Sequence, residues 1–263
     1  GDWSSDVCSS DLVRLLLITN QVASSVTARR RVVIRKALAA DHDLEVGITT
    51  HRGHASELAA AAAADGVDVV VVLAGDGTLN EAANGVLGTD TALAPLPGGS
   101  TNVYCRTLGL PDDALDATAE VLAALEHRSF RRIGVGEANG RAFLFHCGIG
   151  FDAAVIRRVE RRHALKRYAG HPLFVATAFD TWFRHRAAWA NRVTIVPDGG
   201  DPITDVGLAI VSKTSPYTYL GPKPIALAPA DLDSALALTA FVRTDPFTLL
   251  GAVGSALGRG RLL

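Results

Sequence analysis

Methionine is missing altogether from these 263 residues, aromatic side chains make up only 6% of them, and there are three cysteines. A chain that starts at Gly1 with no initiator methionine is expected to have been processed or cut from something longer. Cys8, Cys105 and Cys147 lie far apart with no CxxC pair and no Cys/His cluster, which argues against a zinc centre or disulfide scaffold and suits a reducing compartment. There is no run of eighteen apolar residues, and the N-terminus lacks the basic start and apolar centre of a signal peptide. The cytoplasm is therefore the expected location. Nor is either charge in excess: the formal charge is −1 and the pI is near 6.8, so no global field draws the protein to nucleic acid or to an anionic bilayer.

What is present is a 48% hydrophobic chain with 25 unperiodic glycines, enough apolar material for one large core or two modest ones. Residues 1–12, GDWSSDVCSSDL, stop abruptly where strand-like sequence begins at Val13. They resemble translated adapter sequence from the ends of assembled gene fragments and are expected to be a non-native leader, a disordered native tail being the alternative. At the other end an amphipathic helix is expected from about Phe247 to Leu257, followed by a Gly/Arg turn. The second domain is expected to be truncated there.

From Val13 short apolar runs alternate with helical ones. Strands are expected at 13–19, 44–50, 67–73 and 92–95. Helices are expected at 25–40, 54–64, 78–86, 102–108 and 112–127. This alternation implies a parallel sheet with helical crossovers over residues 13–130. The texture then changes. FRRIGVGEAN and RAFLFHCGIG read as two strands joined at Asn139-Gly140, and further strands are expected at 192–196, 203–212, 225–227 and 236–242. Residues 131–263 are therefore expected to be a mainly antiparallel β domain, with helices inserted at 153–168 and 172–186.

The chemistry is concentrated in VVVVLAGDGTLNEAANGVLG (69–88). A strand buried on both faces feeds through Gly75-Asp76-Gly77-Thr78 into a helix. That places the loop at the carboxyl edge of a parallel sheet, where such sheets bind ligands. Glycines let backbone amides turn toward an anion, and a helix N-terminus adds partial positive charge. Asp76 suits a phosphate site only if it works with Mg²⁺ or takes a proton. The same residues have a structural explanation: Thr78 and Glu81 as a capping box, Asn84-Gly85 as a helix stop. A second loop, Pro97-Gly98-Gly99-Ser100-Thr101-Asn102, repeats the strand-to-helix architecture, and two such loops at one edge can converge on a polyphosphate. No GxxxxGK[ST] occurs. Gly148-Ile-Gly150-Phe-Asp-Ala153 meets the GxGxxA pattern but follows a hairpin strand rather than opening a βαβ unit.

AGDGTLNEAANGV, PLPGGSTN and GIGFDAAV together resemble the catalytic domain shared by bacterial diacylglycerol kinases, sphingosine kinases and related soluble lipid kinases. The resemblance implies an α/β nucleotide-binding domain followed by a β-sandwich lipid-binding domain, related to the NAD kinases. It also implies ATP and Mg²⁺ as cofactors. Carried over by position, it assigns Asn20, Thr50, His54, Gly75, Asp76, Gly77, Thr78, Glu81, Gly98, Gly99, Thr101 and Asn102 to the nucleotide, with Glu81 bracing the loop. It assigns Asp76 to the metal, Asp76 and Asp233 to catalysis, and Arg106, Phe151 and Asp152 to the substrate side. Gln21 stands where the family has Pro, and Ala74 replaces the first Gly of GGDG. Ser234 and Ala237 depart from the DGxLD pattern, and the family's later Asp-Gly-Glu strand does not occur before Leu263.

The expected reaction is transfer of the γ-phosphoryl group of ATP to a lipid hydroxyl, most readily that of diacylglycerol, in phospholipid metabolism. A soluble acceptor such as NAD, or an inactive nucleotide- or lipid-binding fragment, are the alternatives. The expected partner is lipid at the membrane surface, reached by peripheral contact at the inner face through a basic helix carrying Arg157, Arg158, Arg161, Arg162, Lys166 and Arg167. The Pro-rich stretch 212–224 is read as a lid or an ordinary surface loop. Nucleic acid is not expected as a partner, and a homodimer is among the assemblies left open.

Overall fold

The computed structural model describes residues 12–20, 26–150 and 192–242, together with 248, 251, 254 and 255. The leader up to residue 11, Gln21, Phe151, Asp152, the helices expected at 153–168 and 172–186, and most of the terminal helix lie outside the described residues. Contacts divide the chain into two compact units, Gly1–Arg132 and Ile133–Leu263.

The first unit is built on four strands, β1 (Arg14–Asn20), β2 (Asp43–Thr49), β3 (Val69–Ala74) and β4 (Ala92–Pro97), all parallel in the order β2-β1-β3-β4. Every residue of β3 is buried, as its unbroken VVVVLA run demands of a central strand covered on both faces. On one face α1 (Ala28–Leu38) and α5 (Ala114–Glu126) pack side by side. Their Ile34, Leu38, Ala117, Val121 and Leu125 close a core with Leu15, Leu17, Val69, Val71, Leu73 and Leu96. Fully burying each such Val, Leu or Ile side chain is worth about 1.5–3 kcal/mol. On the same unit α2 (His54–Ala64) packs tightly against α3 (Asp76–Val86).

The contact between α2 and α3 explains Gly85. A Cβ there would lie 2.4 Å from the Ser56 carbonyl oxygen and 2.7 Å from Ala59 Cβ, so only glycine beside an alanine-rich helix permits this approach. Asn84-Gly85 is thus not a helix stop, because α3 continues to Val86. Nor do Thr78 and Glu81 form a capping box. The helix starts two residues earlier, at Asp76, with Gly75 as its N-cap and no side-chain cap bond.

The second unit is antiparallel β throughout its described strands. β5 (Gly136–Ala138) and β6 (Arg141–Phe143) form a hairpin, with both Asn139 (φ 52°) and Gly140 (φ 74°) in the left-handed region. The RAFLFHCGIG run is not one strand, because β7 (His146–Gly150) leaves this hairpin for another sheet. The run 203–212 likewise breaks at Gly207. β9 (Ile203–Val206) pairs with β8 (Val193–Ile195), whereas β10 (Leu208–Ser212) sits between β7 and β13 (Ala237–Phe241). Apolar periodicity is blind to such changes of partner. The 212–224 segment is not all loop either, since β11 (Thr218–Leu220) and β12 (Lys223–Ile225) pair within it.

Candidate active site

Because all four strands of the first unit are parallel, their carboxyl ends share one edge. Register sets Asn20 beside Thr49 and Ala74 beside Pro97, so the residues that follow β2, β3 and β4 leave the sheet together. The two glycine loops meet there backbone to backbone. A Cβ on Gly99 would lie 2.6 Å from Gly75 Cα, and one on Gly98 would lie 2.7 Å from the Ala74 nitrogen. No side chain fits at either position, and that absence lets the loops touch.

Asp76 and Asn102 hold the pair. Both carboxylate oxygens of Asp76 accept amides from the start of α4 (Val103–Thr107): Val103 N–H to Oδ2 and Tyr104 N–H to Oδ1, each at 3.0 Å. Asn102, at φ 48°, accepts the Gly99 amide at 2.7 Å and returns its own Nδ2–H to the Gly99 carbonyl at 3.1 Å. Glu81, expected to brace the loop, is half-buried on α3 and its side chain makes no hydrogen bond or ion pair among the described residues. The bracing is done instead by the two side chains assigned to nucleotide and metal.

These bonds decide which amides can meet a phosphate. Those of Gly98, Gly99, Val103 and Tyr104 are engaged internally, and that of Thr78 reaches the Gly75 carbonyl. Among the described residues the amides of Gly77, Ser100 and Thr101 meet no acceptor, and a Cβ on Gly77 would enter open space. They flank the N-terminus of α3, where the helix dipole favours an anion.

At the end of β2, the Thr50 amide donates to His54 Nδ1 at 3.1 Å, which leaves the ring proton of neutral His54 on Nε2. His51, absent from the sequence-based assignments, stacks on His54 with ring centroids 4.7 Å apart, and its Nε2 lies 3.4 Å from Glu57 Oε1. Arg106 points to Asp112, with Nε 3.6 Å from Oδ1. The Cys105 thiol, buried on α4, is pushed up to about 12 by burial and secondarily by the Asp76 charge, which disfavours its thiolate. Burial likewise pushes the Tyr104 phenol up to about 12.

Asp233 belongs to the second unit. It lies in a turn whose geometry is set by Asp231, which accepts the amides of Asp233 (2.8 Å) and Ser234 (2.6 Å) through Oδ1. These bonds hold the Asp231 carboxyl below the usual carboxylate range. Lys213, buried to 5% exposure, anchors the same turn through Nζ–H bonds to the carbonyls of Leu232 (3.1 Å) and Ser234 (2.6 Å), beside an open cavity of about 410 Å³. Nothing in the sequence marked Lys213 apart from a cation following an apolar strand. Among the described residues no three metal-type side chains gather, and no helix is long and apolar enough to cross a membrane.

Comparison with known proteins agrees with this architecture. Residues 14–138 match the family model for the diacylglycerol kinase catalytic domain. The chain is 34% identical over 121 residues to the "Diacylglycerol kinase" of Bacillus subtilis (strain 168), covering 45% of this chain and 39% of that protein. It is 30% identical over 176 residues to a "Probable lipid kinase YegS-like" of Pseudomonas aeruginosa PAO1, covering 66% of this chain and 55% of that one. The chain thus spans between two fifths and three fifths of these relatives. Among solved structures, "A putative diacylglycerol kinase from Bacillus anthracis str. Sterne" superposes with a TM-score of 0.70 at 25% identity, covering 94% of this chain and 82% of that one. A second such structure from the same organism gives 0.69 at 27% identity, covering 93% and 79%.

Proposed function

Residues 14–138 belong to the diacylglycerol kinase catalytic-domain family, and from that premise we propose that this chain is part of an ATP-dependent kinase that phosphorylates a lipid hydroxyl, that of diacylglycerol first. The observation that carries the reading is the pair of glycine loops in backbone contact, with the amides of Gly77, Ser100 and Thr101 meeting no acceptor among the described residues beside the head of α3. Such amides hold a polyphosphate in place without the lysine of a P-loop.

In this reading catalysis is positioning. The contact between Gly75 and Gly99 fixes the spacing of the two loops, Asp76 ties α3 to α4, and Asn102 keeps the second turn rigid, so a bound triphosphate meets donors that need no reorganisation. Mg²⁺ would neutralise phosphate charge when bound. The described residues do not by themselves form a site for it: no group of three metal-type side chains includes Asp76, and both its oxygens already accept amides. In this reading the phosphates of the nucleotide, rather than a preformed set of protein ligands, would hold it. Asp233 remains a proposed catalytic residue, on the turn of the second unit that Asp231 and Lys213 organise. Lipid access by peripheral contact at the membrane surface is part of the same proposal.

The test is direct. Mg·ATP should raise the melting temperature, and ADP should be released when diacylglycerol in mixed micelles is added. Stabilisation without ADP release would select a nucleotide-binding protein instead. ADP release with NAD but not with lipid would select a soluble acceptor.

A further inference from the structure

The face of the first unit made by α1 and α5 has an unusual charge pattern. α1, ARRRVVIRKAL, contains five cations and no acid, and its solvent side carries Arg29, Arg35 and Lys36 around two exposed valines, Val32 at 46% and Val33 at 45%. The adjoining α5 is the reverse. Its exposed side carries Asp116, Glu120 and Glu126, with the small Ala119 and Ala123 between them and no cation within the helix. One ion pair, Arg30 to Asp113 at 2.9 Å, joins the two helix starts, and the other charges named here face solvent.

We propose that this face is self-complementary and pairs two copies of the chain, α1 of one copy lying on α5 of the other. Both helices run back from the carboxyl edge of the parallel sheet, so they are parallel, and the Arg30–Asp113 pair sets their relative height. Counting from that pair at the helical rise, Lys36 stands about 9 Å and Glu120 about 10 Å along. A two-fold axis parallel to the helices preserves height while exchanging α1 and α5, so Lys36 of each copy meets Glu120 of the other. The same operation sets Val32 and Val33, about 3 and 4.5 Å along by the same count, level with Leu115 and Asp116 of the other copy, so the Lys36–Glu120 pairs carry the recognition. An anionic bilayer is the poorer occupant, because a flat surface resting on α1 would also lie against the acidic side of α5.

Charge-reversed variants test the pairing, read by sedimentation velocity on the full chain. Wild type should be dimeric at low salt and should dissociate as salt is raised. Lys36→Glu and Glu120→Lys should each weaken the dimer about tenfold or more, because each creates two like-charge contacts. Mixed together, the two variants should form a heterodimer. One of its two contacts then joins the introduced glutamate of one copy to the introduced lysine of the other, and the second contact is the native pair of Lys36 with Glu120. Both sites are exposed, so unchanged melting temperatures confirm that the variants are folded. A monomeric wild type, a dimer indifferent to either reversal, or no heterodimer on mixing would overturn the proposal. So would a monomeric wild type that sediments with phosphatidylglycerol vesicles and loses them on Lys36→Glu, which would assign the face to a membrane.

Discussion

The Tyr104 amide donates to Asp76 Oδ1 at 3.0 Å, and its neighbour Val103 donates to the other oxygen of the same carboxylate. An acidic residue of the first glycine loop is thus the N-terminal anchor of the helix that follows the second. Asp76 is therefore tied to the stability of the first unit as well as to the proposed nucleotide site.

Replacing Asp76 with Ala leaves two amides without acceptors. Hydrogen bonds to a charged group are worth about 1.5–3 kcal/mol each, so the first unit should lose roughly 3 kcal/mol or more, and stabilisation by Mg·ATP should vanish. Asp76→Asn keeps one acceptor oxygen and should recover part of the stability. Calorimetric melting with and without nucleotide reads both. Full nucleotide stabilisation in the Ala variant would show that the loops do not depend on this tie.

Two glycines in the same site should respond differently. Gly99→Ala places a methyl group against Gly75 Cα and forces the loops apart, so both melting temperature and ATP affinity should fall. Gly77→Ala projects into open space from the first turn of α3 and should leave the melting temperature unchanged or raised, alanine being the better helix former by about 1 kcal/mol. Its ATP affinity should nevertheless drop, because the methyl group occupies the proposed phosphate position. Equal affinity for wild type and Gly77→Ala, by isothermal titration, would move the phosphate elsewhere.

Gly85→Ala should act on stability alone. The added Cβ collides with the Ser56 carbonyl and Ala59, and overpacking of this kind costs about 1–3 kcal/mol. Denaturant unfolding should show that loss. The ATP affinity of the folded fraction should stay within a few-fold of wild type, since Gly85 lies over two turns from the head of α3.

The second unit should be acid-sensitive through His146. Burial pushes its imidazole from 6.5 down to about 4, with Nδ1 3.1 Å from Ser212 Oγ and Nε2 3.2 Å from the Pro216 carbonyl. A carbonyl only accepts, so Nε2 carries the proton and Nδ1 accepts from Ser212. Below pH 6.5 the unfolded chain takes up a proton that the folded one refuses, so stability rises with pH between about 4 and 6.5 and is fully present above. The span corresponds to about 3 kcal/mol. His146→Gln should flatten that part of the unfolding profile. A profile identical to wild type would assign the acid sensitivity to other groups.

Much of this was legible in the chain. VVVVLA had to be a central strand because nothing in it tolerates water, and two glycine-rich strand-to-helix junctions had to share an edge once the strands were parallel. Asn139-Gly140 declared its hairpin through two residues that accept positive φ. The misreadings share a cause. Asn84-Gly85 has the composition of a helix stop, yet Gly85 answers to Ser56 on another helix. Glu81 has the spacing of a cap, yet the acceptors that matter are Asp76 and Asn102, whose partners lie across the loop or in the next helix. The split of 203–212 between two sheets leaves no trace in local periodicity.

The sequence by itself determined the element types, the parallel sheet and the loop chemistry, because strand burial, glycine freedom and helix starts are local properties of side chain and backbone. Only the tertiary structure decided which amides are already engaged, which glycines are steric necessities, and which charged helices lie side by side. Each of those depends on atoms brought within a few ångströms from distant parts of the chain, and no spacing along one segment can specify that.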